Sequence, residues 1–484
     1  MGEGRYWLQT LGCPKNQVDS DKLAGRLAAQ GYRRAAGPAE ADLVVINTCA
    51  FIESARQESI ETVLELADQR SPGARLVVTG CMAERYGDEL TEALPEVDLV
   101  AGFGLDFGET LPPPVPVPVP VPVTLSATST PTPALSPTPT APTGPRPTKG
   151  FDLLELARPA SEAPWAYVKV AEGCDRICGF CAIPSFRGKQ RSRGTDEIMA
   201  EVASLLAGGS TPGGDAAPPL REIVLVAQDL ASYGRDRSRP GERVKAGRSP
   251  IAALTRAVSA RVDRTRLLYL YPSGLTDELI EAVVATGVPY FDLSLQHVSR
   301  PLLARMRRWG DGERFLRRIA DIRRLDDQAT FRSSFILGYP GETERDHDRL
   351  LEFLAEGQLD WAGFFPFSPE VGTHAADLPD QVPAELALER LRECAELQDG
   401  ITAARRDLLV GQRRQVLVDS PGRGRTVHEA PEIDGIVRLP PDTVAGDLLD
   451  VEIVAAAGPD LHAVRVDDAA YHHHHHLPLA GAPR

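Results

Sequence analysis

The chain has 484 residues, 42% of them hydrophobic and 25% charged, and a formal net charge of -15 at pH 7. This length predicts several domains, and the composition is that of a globular protein. The acidic balance argues against a general nucleic-acid surface, which would neutralise phosphates with Lys and Arg. No run reaches the roughly 18 apolar residues of a transmembrane helix, and the first residues lack a secretory signal, so we expect a cytoplasmic protein that binds no membrane.

Residues 4–108 contain three units in which a strand precedes a helix. The strands YWLQTLG, LVVINT and RLVVTG alternate with helical periods, which predicts an α/β domain with a parallel sheet. A cysteine follows each strand: Cys13, Cys49 and Cys81. The ends of parallel strands share one sheet edge, and helix N-termini there favour thiolates. We therefore expect the three thiols to meet and hold an open iron-sulfur cluster, the alternative being three buried structural cysteines.

Two segments have compositions that disfavour a folded core. Residues 109–150 include PPPVPVPVPVPV and predict an extended, semi-rigid proline-rich linker. Residues 469–484 contain five consecutive histidines and predict a disordered tail. We assign the tail no part in the mechanism.

The rest of the chain divides into two further domains. Across residues 160–400, the runs VKVAEG, EIVLVAQD, LLYLYP, YFDLSLQ, FRSSFILG and WAGFFPF are spaced by helix-like segments, which predicts a partial (β/α) barrel. Across residues 405–468, the short runs RQVLVDS, GIVRLP, LLDVEIVAAA and HAVRVDD predict a small antiparallel β-barrel.

A second set of cysteines lies in the segment GCDRICGFC and comprises Cys174, Cys178 and Cys181. Three thiolates on one loop can bind three irons of a 4Fe-4S cubane and leave the fourth iron open, whereas an electron-transfer cluster normally has four cysteines. The spacing therefore predicts catalysis, with a zinc loop as the alternative. The seventh cysteine, Cys394, lies in a helical run and is interpreted as an inert thiol.

The CxxxCxxC segment is similar to the radical S-adenosylmethionine (SAM) superfamily. Together with the three-cysteine domain and the small terminal barrel, called TRAM, it resembles the methylthiotransferases. The segments LGCPKNQVDSD, AIPSFRGKQRSR and EAPEIDG look like the RimO branch of that family. The resemblance implies two 4Fe-4S clusters, SAM, an external electron donor, and transfer of a methylthio group to the β-carbon of an aspartate in the twelfth protein of the small ribosomal subunit.

The resemblance also suggests SAM contacts. Gln228 and Asp229 end a strand, where barrel enzymes place their working groups. Glycines that permit a close backbone approach occur in FILGYPGET, which is similar to a SAM-contact segment of the family and contains Gly338, Gly341 and Glu342. Strand polarity leaves open whether three further residues contact the ligand or form a packed polar interior: Ser294, Gln296 and Arg332.

Two other functions remain open. The sister branch methylthiolates isopentenyl-adenosine in tRNA and has Gln-Met-Asn where this chain has Pro14-Lys15-Asn16. Residues 405–468 contain eight Arg and no Lys against twelve Asp plus Glu, which gives a net charge of 8 - 12 = -4. An acidic barrel suits a basic ribosomal protein better than tRNA. The alternative is that these acids merely face solvent. The non-catalytic alternative is an iron-sulfur electron carrier or scaffold.

Overall fold

A computed structural model describes residues 4–104, 152–209, 216–237 and 249–466. The predicted proline-rich linker and histidine-containing tail lie outside the described residues. Within these ranges, every helix is too short or too polar to cross a membrane.

The N-terminal domain is a five-stranded parallel sheet with the order β2-β1-β3-β4-β5. Its strands are β1 (Arg5–Thr10), β2 (Arg33–Arg34), β3 (Leu43–Thr48), β4 (Arg75–Gly80) and β5 (Leu99–Ala101). Its helices are α1 (Pro14–Ala29), α2 (Glu53–Gln69) and α3 (Cys81–Ala93). The three predicted strand and helix units are confirmed. The prediction missed β2 and β5, because two or three residues are too few to produce a hydrophobic period.

The central domain is an open barrel with two parallel three-stranded halves, β10-β9-β6 and β11-β12-β13, joined by a bridge between Leu270 and Leu293. Its parallel strands are β6 (Trp165–Lys169), β9 (Glu222–Val226), β10 (Arg264–Leu267), β11 (Tyr290–Gln296), β12 (Thr330–Leu337) and β13 (Trp361–Pro366). A small antiparallel ribbon consists of β7 (Ala171–Glu172) and β8 (Arg191–Ser192). The helices are Ile183–Arg187, Thr195–Leu206, Pro250–Ser259, Asp277–Val284, Arg300–Arg305, Gly312–Leu325, Glu344–Gly357 and Ala384–Asp407.

The predicted partial barrel is confirmed, but the strand predicted at LLYLYP is misplaced. The actual strand, β10, begins at Arg264 and ends at Leu267. Tyr269 then adopts a φ of 66°, which is incompatible with an extended strand, and Leu270 makes only an isolated bridge.

The C-terminal domain is a closed barrel with the order β14-β15-β16-β18-β17. Its strands are β14 (Arg413–Ser420), β15 (Arg423–Arg425), β16 (Val437–Arg438), β17 (Leu448–Ala457) and β18 (Asp460–Arg465). Antiparallel pairing is confirmed for the other neighbours but is wrong for β16 and β18, which are parallel. These two strands run the same way because β17 lies between them in the chain and reverses its direction.

A segment of the C-terminal domain, residues 426–434, enters the central barrel. Ala430 is buried in one apolar cluster with Tyr290 and Trp361 of the central strands. The Tyr290 hydroxyl donates to Asp434 Oδ2 at 2.5 Å, and Trp361 Nε1 donates to the His428 carbonyl at 2.8 Å. The two domains therefore share a core.

Candidate active site

The cysteines of the central domain lie on the loop between β7 and the helix Ile183–Arg187: Cys174, Cys178 and Cys181. Backbone hydrogen bonds hold this loop in place. The Cys174 amide donates to the Gly188 carbonyl at 3.1 Å, and the Gly179 amide donates to the Met306 carbonyl at 2.9 Å. A Cβ added at Gly179 would lie 2.8 Å from the Tyr339 hydroxyl, so the loop packs closely against the barrel.

Hydrogen-bond donors surround the thiols of this loop. Arg308 Nη1 donates to Cys178 Sγ at 3.2 Å, and the Arg176 amide donates to Cys174 Sγ at 3.4 Å. The guanidiniums of Arg176 and Arg308 lie 3.8 and 4.3 Å from the Tyr271 ring centroid. Burial raises the pKa of Cys174 to about 11. Nearby cations and a metal would favour the thiolate that burial disfavours.

The cysteines of the N-terminal domain lie at the carboxyl edge of its sheet. Cys13 caps α1, Cys49 follows β3, and Cys81 is the first residue of α3. A Cβ added at Gly12, whose φ is 91°, would lie 2.9 Å from Cys49 Sγ, so this glycine leaves room beside the thiol. The Cys81 thiol donates to Asn16 Oδ1 at 3.5 Å.

The thiols of this edge affect one another. Burial, and then the charges of Cys81 and Cys13, raise the pKa of Cys49 to about 12. Burial would also raise the pKa of the Cys13 thiol, but the cations Lys15 and Arg187 bring it below its usual value. Burial conversely lowers the pKa of Lys15, and the charge of Cys13 opposes that shift. The edge is therefore a compact set of thiols and cations.

Arg187 connects this edge to the central barrel. Its Nη2 donates to Cys81 Sγ at 3.1 Å, and its Nη1 donates to Asp19 at 3.1 Å and to Glu172 at 3.0 Å. Glu172 Oε1 also accepts a hydrogen bond from Gln228 Nε2 at 2.7 Å. A continuous set of contacts thus joins a thiol of the N-terminal domain to a predicted SAM contact.

Buried ion pairs fix the N-terminal domain against the barrel. Glu370 accepts hydrogen bonds from Arg56 at 2.6 Å and from Arg85 at 2.7 Å. On the other side, Lys22 pairs with Glu201 at 3.2 Å. The sequence offered no signal for this placement, because each partner lies far away in the chain.

Gln228 and Asp229 were expected to end a strand, but β9 already ends at Val226, so both residues lie on the turn after it. Asp229 Oδ2 accepts hydrogen bonds from Arg176 Nε at 2.7 Å and from the Ser232 hydroxyl at 2.6 Å, next to the central cysteine loop. In the described part of the chain, Asp229 Oδ1 and Gln228 Oε1 are buried without a hydrogen-bond partner. Buried polar atoms are normally satisfied, so these two oxygens are suited to a polar ligand.

The three predicted SAM contacts on β11 and β12 differ in their hydrogen bonds and backbone conformation. The carbonyl of Ser294 accepts a hydrogen bond from Arg308, the residue that contacts Cys178. Gln296 has a φ of 70° where the register between β11 and β12 shifts. Arg332 pairs with Asp292 at 3.1 Å and with Asp434 of the C-terminal domain at 3.5 Å. These partners give Arg332 a structural role, and its contact with SAM stays a prediction.

The segment with Gly338, Gly341 and Glu342 forms a tight turn after β12. Glu342 Oε2 accepts the Gly338 amide at 2.6 Å, and Oε1 accepts Arg390 Nη1 at 3.1 Å. Gly338 and Gly341 have φ values of 75° and 83°. Both Glu342 oxygens are used within the protein, so a SAM contact by this turn stays a prediction.

The donor chemistry at both sites fits an iron-sulfur cluster. In the residues that the structure describes, no three His, Cys, Asp or Glu side chains already surround a metal position. Each site nevertheless has three cysteines beside cations, and the seventh cysteine, Cys394, is fully buried in the helix Ala384–Asp407. A site with three thiols leaves one iron free for a further ligand.

Sequence reasoning missed two site residues, Lys15 and Arg308. It noted Arg187 only as part of the basic run AIPSFRGKQRSR after the cysteine loop, without placing it beside Cys81. Lys15 stands two residues after Cys13, and that proximity was an available signal. Arg308 had none, because it is 130 residues away from its partner Cys178.

Family models match all three domains. Residues 5–102 match the uncharacterized protein family UPF0004, residues 168–354 match the radical SAM superfamily, and residues 410–466 match the TRAM domain.

The chain is similar along nearly its whole length to curated relatives. It is 39% identical over 493 residues to the ribosomal protein uS12 methylthiotransferase RimO of Cutibacterium acnes, covering 94% of this chain and 97% of that protein. It is 41% identical over 449 residues to the protein of the same name from Moorella thermoacetica, covering 92% and 95%. The chain belongs to the RimO family.

RimO family membership, with the radical SAM domain, makes the chain a radical SAM methylthiotransferase that uses SAM and two 4Fe-4S clusters. Among solved structures, the chain is similar to the radical SAM methyltransferase TsrM of Kitasatospora setae with cobalamin and a 4Fe-4S cluster bound. The TM-score is 0.46 at 14% identity, and the match covers 91% of this chain and 83% of TsrM.

Proposed function

We propose that this chain adds a methylthio group to the β-carbon of an aspartate in ribosomal protein uS12. The observation that supports this proposal is a contact between domains: Arg187, on the short helix that follows Cys181, donates to Cys81 Sγ of the N-terminal domain. The site that generates the radical and the site that supplies sulfur would then act on the same aspartate side chain of the substrate. The names of the relatives supply the substrate.

The reaction needs chemistry that ordinary side chains lack. The hydrogens on the β-carbon of an aspartate are not acidic enough for a protein base to remove. When bound, the two clusters and SAM would supply hydrogen-atom abstraction, sulfur and the methyl group.

The protein positions these reagents. Cys174, Cys178 and Cys181 would hold one cluster, and Cys13, Cys49 and Cys81 the other. We further propose that SAM is bound by the predicted contacts on the central barrel: Gln228, Asp229, Ser294, Gln296, Arg332, Gly338, Gly341 and Glu342. The strongest support concerns Asp229 and Gln228, because each has a buried oxygen without a partner in the described ranges.

The charge of the C-terminal barrel favours uS12 less strongly than its composition suggested. Glu429 pairs with Arg406, and Asp419 pairs with Arg425 at 2.7 Å, so several acids are used internally. The same pairs occupy arginines that a tRNA phosphate would need. The barrel thus remains a poor phosphate-binding surface, although fewer acids are available to a basic partner.

Incubation of the anaerobically reconstituted chain with SAM, a reductant and either uS12 or tRNA tests the proposal. We expect uS12 to gain the mass of one methylthio group at an aspartate, and Cys174→Ala to abolish this gain. A gain on tRNA adenosine with none on uS12 would contradict the proposal. Absence of 5'-deoxyadenosine formation from SAM would instead favour a non-catalytic carrier or scaffold.

The ribosomal substrate also suggests the setting of the reaction. We propose that the protein acts in the cytoplasm and receives electrons from an external donor. We also propose the domain boundaries 4–108, 160–400 and 405–468, joined by the linker 109–150 and followed by the tail 469–484. Partial proteolysis of the full chain, with mass analysis of the fragments, tests these boundaries.

A further inference from the structure

The side chain of Lys15 extends from the N-terminal domain to the central barrel. It is the second residue of α1, two positions after Cys13, and only 8% of its surface is exposed. Its Nζ lies 3.2 Å from the centroid of the Tyr269 ring, which follows β10. The ammonium therefore stands between the cysteine edge of the N-terminal domain and the interior of the barrel.

The surroundings of Lys15 differ from those of two other buried lysines. Lys22 pairs with Glu201 at 3.2 Å, and Lys169 pairs with Glu172 at 2.6 Å. Within the described ranges, the close contact of Lys15 Nζ is with an aromatic ring, and no carboxylate pairs with it. Buried cations are normally paired with a carboxylate. The Cys13 thiol lies near Lys15, but no carboxylate of the described residues pairs with the ammonium, which suggests an acidic ligand.

The nearby carboxylate of Asp292 is already occupied. Its Oδ1 accepts Arg332 Nη1 at 3.1 Å, and its Oδ2 accepts the Tyr269 amide at 2.9 Å. Arg332 has a second partner in Asp434 at 3.5 Å. Arg187, the other cation of this region, already contacts two acids and a thiol. Lys15 is thus suited to receive an acid from outside the chain.

We propose that Lys15 binds the carboxylate of the substrate aspartate and selects aspartate over asparagine. This inference rests on the proposed function. The ammonium would donate charge-assisted hydrogen bonds to the carboxylate, while the Tyr269 ring supports it from the other side. The β-carbon of the substrate is bonded directly to that carboxylate. It would therefore lie beside the Cys13 edge, where sulfur is needed.

The test compares two synthetic peptides that span the modified loop of uS12, one with Asp and one with Asn at the modified position. Their affinities for the reconstituted full-length chain are measured by fluorescence anisotropy with SAM present. We expect the wild-type chain to prefer the Asp peptide by about 10- to 100-fold, the usual range for a hydrogen bond to a charged group. Lys15→Met, which keeps an unbranched side chain one heavy atom shorter and without the charge, should abolish this preference.

Lys189→Met is the matched control, because Lys189 is exposed. It should keep the preference for the Asp peptide. Iron content and peptide-independent formation of 5'-deoxyadenosine are measured for each variant, because Lys15 lies beside the Cys13 thiol. If Lys15→Met does not load iron, Lys15→Gln is measured in its place, and failure of both to load would assign Lys15 to the metal site and overturn the inference.

The outcomes separate this inference from the proposed function. If the wild-type chain binds and modifies neither peptide nor intact uS12, the proposed function fails. If the wild-type chain prefers the Asp peptide and Lys15→Met keeps that preference, the proposed function stands and the role of Lys15 is refuted.

Discussion

The guanidinium of Arg187 lies 3.1 Å from the thiol of Cys81, although the two residues belong to different domains. Arg187 ends the short helix that begins directly after the central cysteine loop. A displacement of that loop would therefore be transmitted to a thiol of the other site. Arg187 also contacts Asp19 and Glu172, so one side chain holds the interface together beside Cys81, a proposed cluster ligand.

Replacement of Arg187 by glutamine should destabilise the fold and alter the N-terminal cluster. The variant leaves Asp19 and Glu172 buried with less compensating charge, and loss of one partner from a buried ion pair typically reduces stability by about 3–5 kcal/mol. Urea unfolding of the full chain measures this loss. The reduction potential of the N-terminal cluster, followed by electron paramagnetic resonance, should become more negative, because a positive donor to its ligand is removed.

Arg191→Gln is the control for this variant, because its ion pair with Asp152 is largely exposed. Exposed pairs contribute at most about 1 kcal/mol. Equal unfolding midpoints for the two variants would show that the buried ion pairs of Arg187 contribute no more to stability than the exposed pair of Arg191.

Replacement of either set of three cysteines should remove one cluster and leave the other. We expect Cys13, Cys49 and Cys81 changed together to Ala to reduce iron and sulfide by about half while SAM cleavage continues. The same change at Cys174, Cys178 and Cys181 should also halve the iron but abolish 5'-deoxyadenosine. Metal analysis after anaerobic reconstitution measures both.

Cys394→Ala provides the control, because this thiol is buried in the helix Ala384–Asp407 and belongs to neither set of three cysteines. It should keep the full iron content. A single cluster in the wild-type chain, or loss of iron from Cys394→Ala, would contradict the assignment of two three-cysteine sites.

Gly12→Ala should impair the N-terminal cluster selectively. The new Cβ would lie 2.8 Å from Cys49 Cβ and 2.9 Å from its Sγ, which forces the thiol to move. Gly31→Ala is the matched control, because its φ of 90° nearly equals the 91° of Gly12 but no atom lies within 4 Å of the added Cβ. Both variants should lose about 1–2 kcal/mol from backbone strain. We expect only Gly12→Ala to lose iron, and an equal loss in both would refute the crowding argument.

Glu222→Gln should change how stability depends on pH. Burial alone would raise the pKa of Glu222, but the charges of Arg425 and Arg266 lower it to about 2. A lowered carboxyl pKa stabilises the folded state above the unfolded-state value near 4.5, and this contribution disappears as pH falls toward 2. Between pH 7 and pH 3 the wild-type chain should therefore lose about 2 kcal/mol that the variant does not lose.

Urea unfolding of cluster-free protein from pH 7 to pH 3 measures that difference. At pH 7 the variant should be the less stable protein, because two buried arginines have lost their shared acid. Asp263→Asn is the control, since its pair with Arg221 is partly exposed. Parallel stability curves for Glu222→Gln and the wild type would contradict the role of Glu222.

The sequence predicted the features that arise from local periodicity. Alternation of strands and helices placed Cys13, Cys49 and Cys81 at one sheet edge, because consecutive parallel strands all end on the same side. The loop of Cys174, Cys178 and Cys181 follows from spacing alone. By contrast, β10 was misplaced because the left-handed backbone at Tyr269 leaves no mark in a hydrophobic run.

Contacts between distant segments could not be predicted. Arg308 reaches Cys178 across 130 residues, and Glu370 binds Arg56 across 314 residues. Such pairs are decided by the docking of domains, and a single sequence carries no signal for it. The amino-acid composition of the terminal barrel was also an incomplete guide to its surface charge. Composition does not distinguish an acid that faces solvent from one that pairs with a buried arginine, as Glu429 does with Arg406.

Because of the segment 426–434, the TRAM barrel cannot be exchanged independently of the other two domains. One apolar cluster contains Val18 of α1, Tyr290 of the central barrel and Ala430 of this segment, so each of the three domains completes the interior of the others. Truncation of the protein before residue 405 would remove Ala430 from this apolar cluster. Tyr290 and Trp361 of the central barrel would then be exposed. Chimeras that exchange TRAM modules between relatives must therefore transfer this segment together with the strand faces that receive it.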